Sequence, residues 1–305
     1  MQNGSIPLPL FEKLLFAWYK KNRRDLPWRH LETKNNETSR IRDPYVILVS
    51  ELMLQQTQVS RVLPKFEHFI QRWPTIEALS KATLTEVVIE WKGLGYNRRA
   101  KHLLECAKII SLTKNGEFPQ SKDELRDLPG FGPYMVSALR VFAFGVQEPV
   151  LDVNVNRVHE RSGLEPFAIP PNRADEWHQL LMDFGALVCT AKNPLCDHCP
   201  LSRICKSNRH AKTLGFDSYA DWLLVQPKIK KQSKKDIGKK FEETDRYFRG
   251  RVIDFLREGE QSMEVLQAHI VDTHNLQDKK RFGRIIESLK VDGLIAISAN
   301  RISLA

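Results

Sequence analysis

"LPGFGPYMVSAL", residues 128–139, sets Gly130 and Gly132 directly ahead of Pro133 and a helical run of apolar residues. Two glycines this close permit a tight turn, and proline suits the first turn of a helix because its missing N–H is not needed there. Such a turn points backbone amides and a helix N-terminus outward, which makes a seat for a phosphate. The competing interpretation is an ordinary connection between two helices, and a lone G-x-G cannot separate the two. Outward from this point, apolar residues recur at helical spacing in "LFEKLLFAWYKK" (10–21), "DPYVILVSELML" (43–54) and "PYMVSALRVFAF" (133–144), while strand-like alternation is scarce before residue 290. The first two-thirds of the chain is therefore expected to be nearly all helix, with a helix start at Asp43-Pro44 and short loops at "WKGLGY" (91–96) and "NGEFP" (115–119).

The 305 residues, 42% of them hydrophobic, are enough for a substantial core and for two or more domains. No apolar run approaches the length of a membrane span, and "MQNGSIPLPLFEKLL" lacks the charged start and cleavage site of an export signal, so an intracellular protein with no membrane role is expected. A net charge of +10 favours a polyanionic partner, nucleic acid first.

Of five cysteines, Cys106 sits alone within "AKHLLECAKII" and reads as core. Cys189, Cys196, Cys199 and Cys205 form a C-x6-C-x2-C-x5-C array, with His198 inside it. In an intracellular chain with this much core the array is a metal site rather than a disulfide framework. Four thiolates suit structural zinc or a 4Fe-4S cluster, and the presence of one C-x2-C pair instead of two tilts the balance toward iron and sulfur. Lys192, Arg203 and Lys206 add positive charge around it.

At residues 226–240, "QPKIKKQSKKDIGKK", seven lysines face one aspartate, which marks a basic linker or an extra binding segment. Beyond it, "TDRYFRGRVIDFLREG", "SMEVLQAHIV" and "KKRFGRIIESLKVDGL" read as three helices, and "IAIS" and "RISL" as a hairpin around "AN", the order of a winged-helix-like module.

Two carboxylates stand out. Glu51, in "SELMLQQTQ" (50–58), has Ile47, Leu48 and Leu54 as helical neighbours, so desolvation would keep a proton on it; the alternative is a salt bridge to Arg40, Arg42 or Arg61. Asp152, in "VLDVNVNRVHERSG" (150–163), stands where a helix N-cap belongs, a position that favours the charged form. A neutral acid together with an anion is the pair that glycosidic-bond cleavage requires, and in a basic protein it points to an N-glycosidic bond in nucleic acid.

Across residues 10–206, "DLPWR" (25–29), "SELMLQQTQ", "GLGY" (93–96), "LPGFGPY", "LDVN" and the cysteine array occur in the order seen in MutY-type adenine DNA glycosylases of the helix-hairpin-helix superfamily, which the chain resembles. The resemblance implies an all-α, two-lobed fold: N-terminal helices over 1–29 packing with an iron-sulfur lobe over 137–212, and a six-helix barrel with the hairpin over 30–136. A basic linker over 213–240 and the winged-helix-like module over 241–305 would follow. It implies a 4Fe-4S cluster on the four cysteines and a monomer acting on double-stranded DNA with a mismatched or damaged pair. Glu51 would protonate the adenine ring, Asp152 would stabilise the cationic sugar, Tyr134 would bond within this group and Asn154 would hold the carboxylates. Tyr134 stands where strand-cutting relatives carry a nucleophilic lysine, so a monofunctional enzyme leaving an abasic site is expected. Gln56, Leu94 and Tyr96 match wedge and intercalating positions. Arg24, Leu26, Trp28, Arg29 and Gln179 match the base pocket, and Thr57, Gly130 and Gly132 match DNA-binding positions.

The chain departs from the pattern twice. Val153 replaces a glycine between the catalytic Asp and Asn, which makes the backbone there less permissive, and residues 241–305 are too short and too helical for the usual 8-oxoguanine-inspecting domain. The opposite base is therefore open. "PWRH" and "RDPYVIL" also resemble a mismatch thymine or uracil glycosylase, against which Gln55-Gln56 weighs, and a non-catalytic DNA-binding protein is a third reading.

Overall fold

The computed structural model describes residues 7–30, 33–34, 37–38, 42–226, 240–274 and 279–305. In chain order it forms α1 (Leu8–Asn22), a 3-10 turn at Pro27–Arg29, the antiparallel pair β1 (Thr33–Lys34) and β2 (Glu37–Thr38), α2 (Pro44–Leu54), α3 (Val59–Arg72), α4 (Ile76–Ser80), α5 (Leu84–Glu90) and α6 (Arg98–Thr113). There follow α7 (Lys122–Arg126), α8 (Pro133–Phe144), α9 (Val153–Ser162), α10 (Ala174–Leu187), α11 (Lys206–Thr213) and α12 (Tyr219–Val225). The C-terminal part adds α13 (Asp245–Leu256), β3 (Gln261–Ser262), α14 (Met263–His274), α15 (Lys279–Val291), β4 (Ile295–Ser298) and β5 (Arg301–Leu304). Local chemistry explains many of these limits. α8 starts at Pro133 and stops at Gly145, whose φ of 68° ends the helix in the left-handed region, and α5 opens on a capping box between Thr83 and Glu86. No described helix is long and apolar enough to cross a membrane.

The chain divides into two compact units. The first comprises residues 1–47, 120–126 and 131–229. Its core gathers Phe11, Leu15 and Tyr19 of α1, Val155 and Val158 of α9, and Trp177, Leu180, Leu181 and Phe184 of α10. The buried carboxylate of Asp183 binds both arginines that flank the 3-10 turn: Arg24 Nε at 2.6 Å, and Arg29 Nη1 and Nη2 at 2.8 and 2.9 Å. Burial alone would push this carboxyl up, but the two guanidiniums more than offset it and hold Asp183 below the usual carboxylate range.

The second unit comprises residues 48–119, 127–130 and 230–305. α6 packs against α4 and α5, with Trp91 and Phe69 meeting edge to face beside them. The C-terminal module belongs to this unit, bound to it by Lys101 Nζ on the Asp292 carbonyl at 2.8 Å and by Arg257, which reaches the Val88 carbonyl and Asn97. Its three helices and hairpin appear where the sequence predicts them, with an unexpected third strand: β3 pairs with β5 in a sheet of order β3-β5-β4. Two residues are too short to show strand periodicity.

Three expected boundaries move. Residues 219–225 of the expected linker are α12, capped by Ser218, while residues 227–239 lie outside the described residues. Residues 42–47, 120–126 and 131–136 fall in the first unit rather than with the barrel, because α8 packs on α10 and α7 and Arg42 pairs with Asp175. The winged-helix module is grouped with the barrel helices instead of standing as its own unit, since its polar contacts run to α5 and α6.

Candidate active site

In the first unit, α9 is nucleated by Asp152. Its Oδ1 accepts from the Asn154 and Val155 backbone N–H groups at 2.8 and 2.6 Å, and its Oδ2 accepts from Asn154 Nδ2 at 2.9 Å. Asn154 is fixed in turn: Arg157 Nη2 donates to Asn154 Oδ1 and to the Gly185 carbonyl, both at 2.7 Å. A Cβ on Gly185 would come within 2.8 Å of Asn154 Cβ, so only glycine allows α10 this close to α9. Val153 is the first residue of α9 with ordinary helical backbone and is 77% exposed, so the expected loss of permissiveness has no consequence: nothing at this position requires glycine. Tyr134 lies half-buried in the first turn of α8.

The cysteine array follows α10. Cys189, Cys196, Cys199 and Cys205 all line one small pocket together with Val158, Phe184, Leu201 and Tyr219. Among the described residues no group of three or more His, Cys, Asp or Glu side chains is placed to hold a metal ion. Four thiols around a shared space, instead of at a point, fit a polynuclear cluster better than zinc. Burial pushes the Cys196 thiol up to about 11 and Cys199 up to about 12, so these sulfurs depend on a metal for their thiolate form. Arg157 Nε donates to the Cys189 carbonyl at 2.7 Å, and Arg161 Nη1 to the Thr190 carbonyl at 2.7 Å, so both hold the start of the loop.

In the second unit Glu51 is 8% exposed on α2, whose Ile47 and Leu48 are buried as the pattern predicts. Of its expected salt-bridge partners, Arg42 binds Asp175 at 3.0 Å within the first unit, and Arg40 lies outside the described residues. Two loops follow the glutamate's helix and precede α6. Both contain a non-glycine residue in the left-handed region, Gln56 at φ 56° and Tyr96 at φ 48°, a conformation that costs energy and that surrounding structure must enforce. Arg99 enforces it. Its buried guanidinium donates through Nη1 to the carbonyls of Leu52, Met53 and Gln55, and through Nη2 to Thr57 Oγ1 and the carbonyls of Leu94 and Gly95. Burial pulls that guanidinium down to about 10, still protonated at neutral pH.

The predicted residues thus separate into groups. Asp152 and Asn154 are brought into contact, the four cysteines share a pocket, and Gln56, Thr57, Tyr96 and Gly130 line one cavity. Gly130 has φ 80° and a Cβ there would meet His102 at 2.6 Å, whereas Gly132 has ordinary backbone as the N-cap of α8. Leu94 borders the same cavity and is buried. Leu26, Trp28 and Gln179 are also buried, and the charges of Arg24 and Arg29 are engaged by Asp183. Sequence reasoning missed Asp183, Arg157, Gly185 and Arg99. Asp183 carries the signal that singled out Glu51, an acid on an apolar helix face; nothing in "YNRRAKHLL" distinguishes Arg99 from Arg98.

Comparison with known proteins places these features in context. Residues 49–175 match the family described as HhH-GPD superfamily base excision DNA repair protein, and residues 189–205 match the iron-sulfur binding domain of endonuclease III. The chain is 37% identical to the adenine DNA glycosylase of Mycolicibacterium smegmatis over 95% of this chain and 94% of that protein. It is 35% identical to the adenine DNA glycosylase of Homo sapiens over 66% of this chain and 40% of that one. Among solved structures, a thermostable thymine-DNA glycosylase aligns at TM-score 0.57 and 28% identity, covering 65% of this chain and 95% of that one. An endonuclease III trapped on DNA shares the fold at TM-score 0.55 and 21% identity, over 68% of this chain and 99% of that one.

Proposed function

The chain belongs to the adenine DNA glycosylase family, within the HhH-GPD superfamily of base excision repair proteins, and from that premise we propose that it hydrolyses the N-glycosidic bond of adenine mispaired with guanine or 8-oxoguanine. The observation that carries this reading is the Asp152 carboxylate, oriented by three hydrogen bonds from backbone and Asn154. An anion held in one orientation before the reaction begins stabilises the oxocarbenium-like sugar without reorganisation. Glu51, buried among apolar side chains, gives its proton to the adenine ring, and the C–N bond electrons leave with the base. Water then adds to the sugar and gives its proton to the Glu51 carboxylate, leaving an abasic site. Tyr134 has no amine for a Schiff base, so the strand stays intact.

The 4Fe-4S cluster is the cofactor of this family, and Cys189, Cys196, Cys199 and Cys205 would hold it. When bound it supplies a covalent cross-link for a loop with little core of its own. The partner is duplex DNA, and the enzyme acts as an intracellular monomer.

The test is a strand-labelled assay on duplexes carrying A opposite 8-oxoguanine, A opposite G, T opposite G and U opposite G, with and without alkali. Alkali-dependent cleavage at adenine alone is expected. Cleavage at thymine or uracil would favour the second reading, supported by the 28% identity to a thymine-DNA glycosylase. No cleavage on any duplex would favour a non-catalytic DNA-binding protein.

A further inference from the structure

The C-terminal module shares a cavity of about 970 Å³ with the two strained loops. One wall is Gln55–Gln58 and Gly93–Tyr96; the other is α13 and the residues before it, with Phe241, Arg246 and Tyr247. Seven arginines line this space against two aspartates, an excess of five positive charges. Asp292 engages Arg249 and Arg98, and Asp254 engages Arg251 and Arg257, so each of those cations shares a carboxylate. Arg246 differs: it is exposed and donates to a neutral group, the Tyr96 hydroxyl at 2.7 Å, with its guanidinium 5.1 Å from the ring. On the facing wall Arg61 is exposed and makes no ion pair among the described residues. Exposed cations interleaved with aromatic faces are what a nucleotide requires, phosphate on the first and base on the second.

We propose that this cavity is a DNA site built jointly by the C-terminal module and the Gln56 and Tyr96 loops. It takes one nucleotide of the duplex, with its phosphate on Arg246 and Arg61 and its base against Tyr96. Arg246 is also a positioning residue, because its bond to Tyr96 holds that ring in the left-handed loop, and the module thereby takes part in reading DNA. The inference rests on the reading that Gln56 and Tyr96 enter the duplex.

The experiment uses the full chain and a fluorescein-labelled duplex with a tetrahydrofuran abasic analogue opposite guanine, followed by anisotropy over a range of salt concentrations. Arg246→Gln and Arg61→Gln should each weaken binding about tenfold, and each should reduce the slope of log affinity against log salt by about one. A merely structural role would leave that slope unchanged. Tyr96→Phe should weaken binding less, and adding it to Arg246→Gln should cost little more, since both remove one contact. If both glutamine variants bind within about twofold of the parent with the parental slope, the proposal is wrong. Adenine release by the parent from the A:8-oxoguanine duplex is scored separately. Absent release with altered slopes would sink the glycosylase reading and leave this site standing, while normal release with unaltered slopes would sink this site alone.

Discussion

Asp152 and Gln56 are each held in place, but in opposite ways. The Asp152 carboxylate is set by residues two and three positions along the chain, through the capping geometry of a single helix start. The Gln56 loop is set by Arg99, 43 positions away and on another helix, whose one guanidinium ties down six oxygen atoms. In the first case the proposed chemistry needs the charge of the carboxylate while the cap needs only an accepting oxygen; in the second, a residue that need not touch substrate determines the shape of the loops proposed to do so. Substitutions should therefore separate activity from stability at Asp152 and fail to separate them at Arg99.

The largest effect is expected at the carboxylates. Asp152→Asn should lower adenine release by about a thousandfold in single-turnover assays, because the anion is gone. Asparagine caps helices as well as aspartate does, so the thermal midpoint should barely move. A large fall in the midpoint would show that the cap is not the local, separable feature described above.

Next comes Asp183→Ala, which strands two arginines at a buried site and should cost about 3–4 kcal/mol in denaturant unfolding. This clamp is as non-local as Arg99 but lies in the first unit. A loss below about 1 kcal/mol would mean that long-range clamping is peculiar to the second unit.

Arg99→Met keeps the apolar stem and removes the donors. It should cost about 2–3 kcal/mol and weaken duplex binding, since the carbonyls at 52 and 53 lose the Arg99 donor, those at 55, 94 and 95 keep only their bonds from Thr57 and Trp91, and the strained backbone of Gln56 and Tyr96 loses its support. Unchanged protection of the 55–58 amides in hydrogen exchange would rule out the clamp.

The smallest effect is on pH dependence. Burial pulls His178 down to about 4, with Nδ1 against the Ala174 carbonyl at 2.7 Å. The folded state thus keeps this ring neutral where the unfolded chain protonates it, and the unfolded state binds more protons from about pH 6.5 down to pH 4. Stability should fall by roughly 2–3 kcal/mol across that window. Asp183, held below its usual range, should add a further loss only as pH drops through its own lower titration. His178→Gln should remove the first phase and spare the second.

The sequence by itself determined what is written in neighbouring residues. The glycine-proline start of α8, the aspartate cap of α9, the burial of Glu51 among its helical neighbours and the cysteine spacing all depend on positions within one turn or one loop. Motif order across residues 10–206 then identified the family. Only the tertiary structure decided which arginine is buried. Arg98 and Arg99 are chemically identical neighbours, and about 100° of helix rotation puts one toward solvent and the other beneath two loops. It likewise decided that Arg24 and Arg29 turn to Asp183, that Leu94 is core, and that α13 faces Tyr96 across 150 residues of chain. These pairings depend on how helices pack, which a single chain's local pattern does not encode.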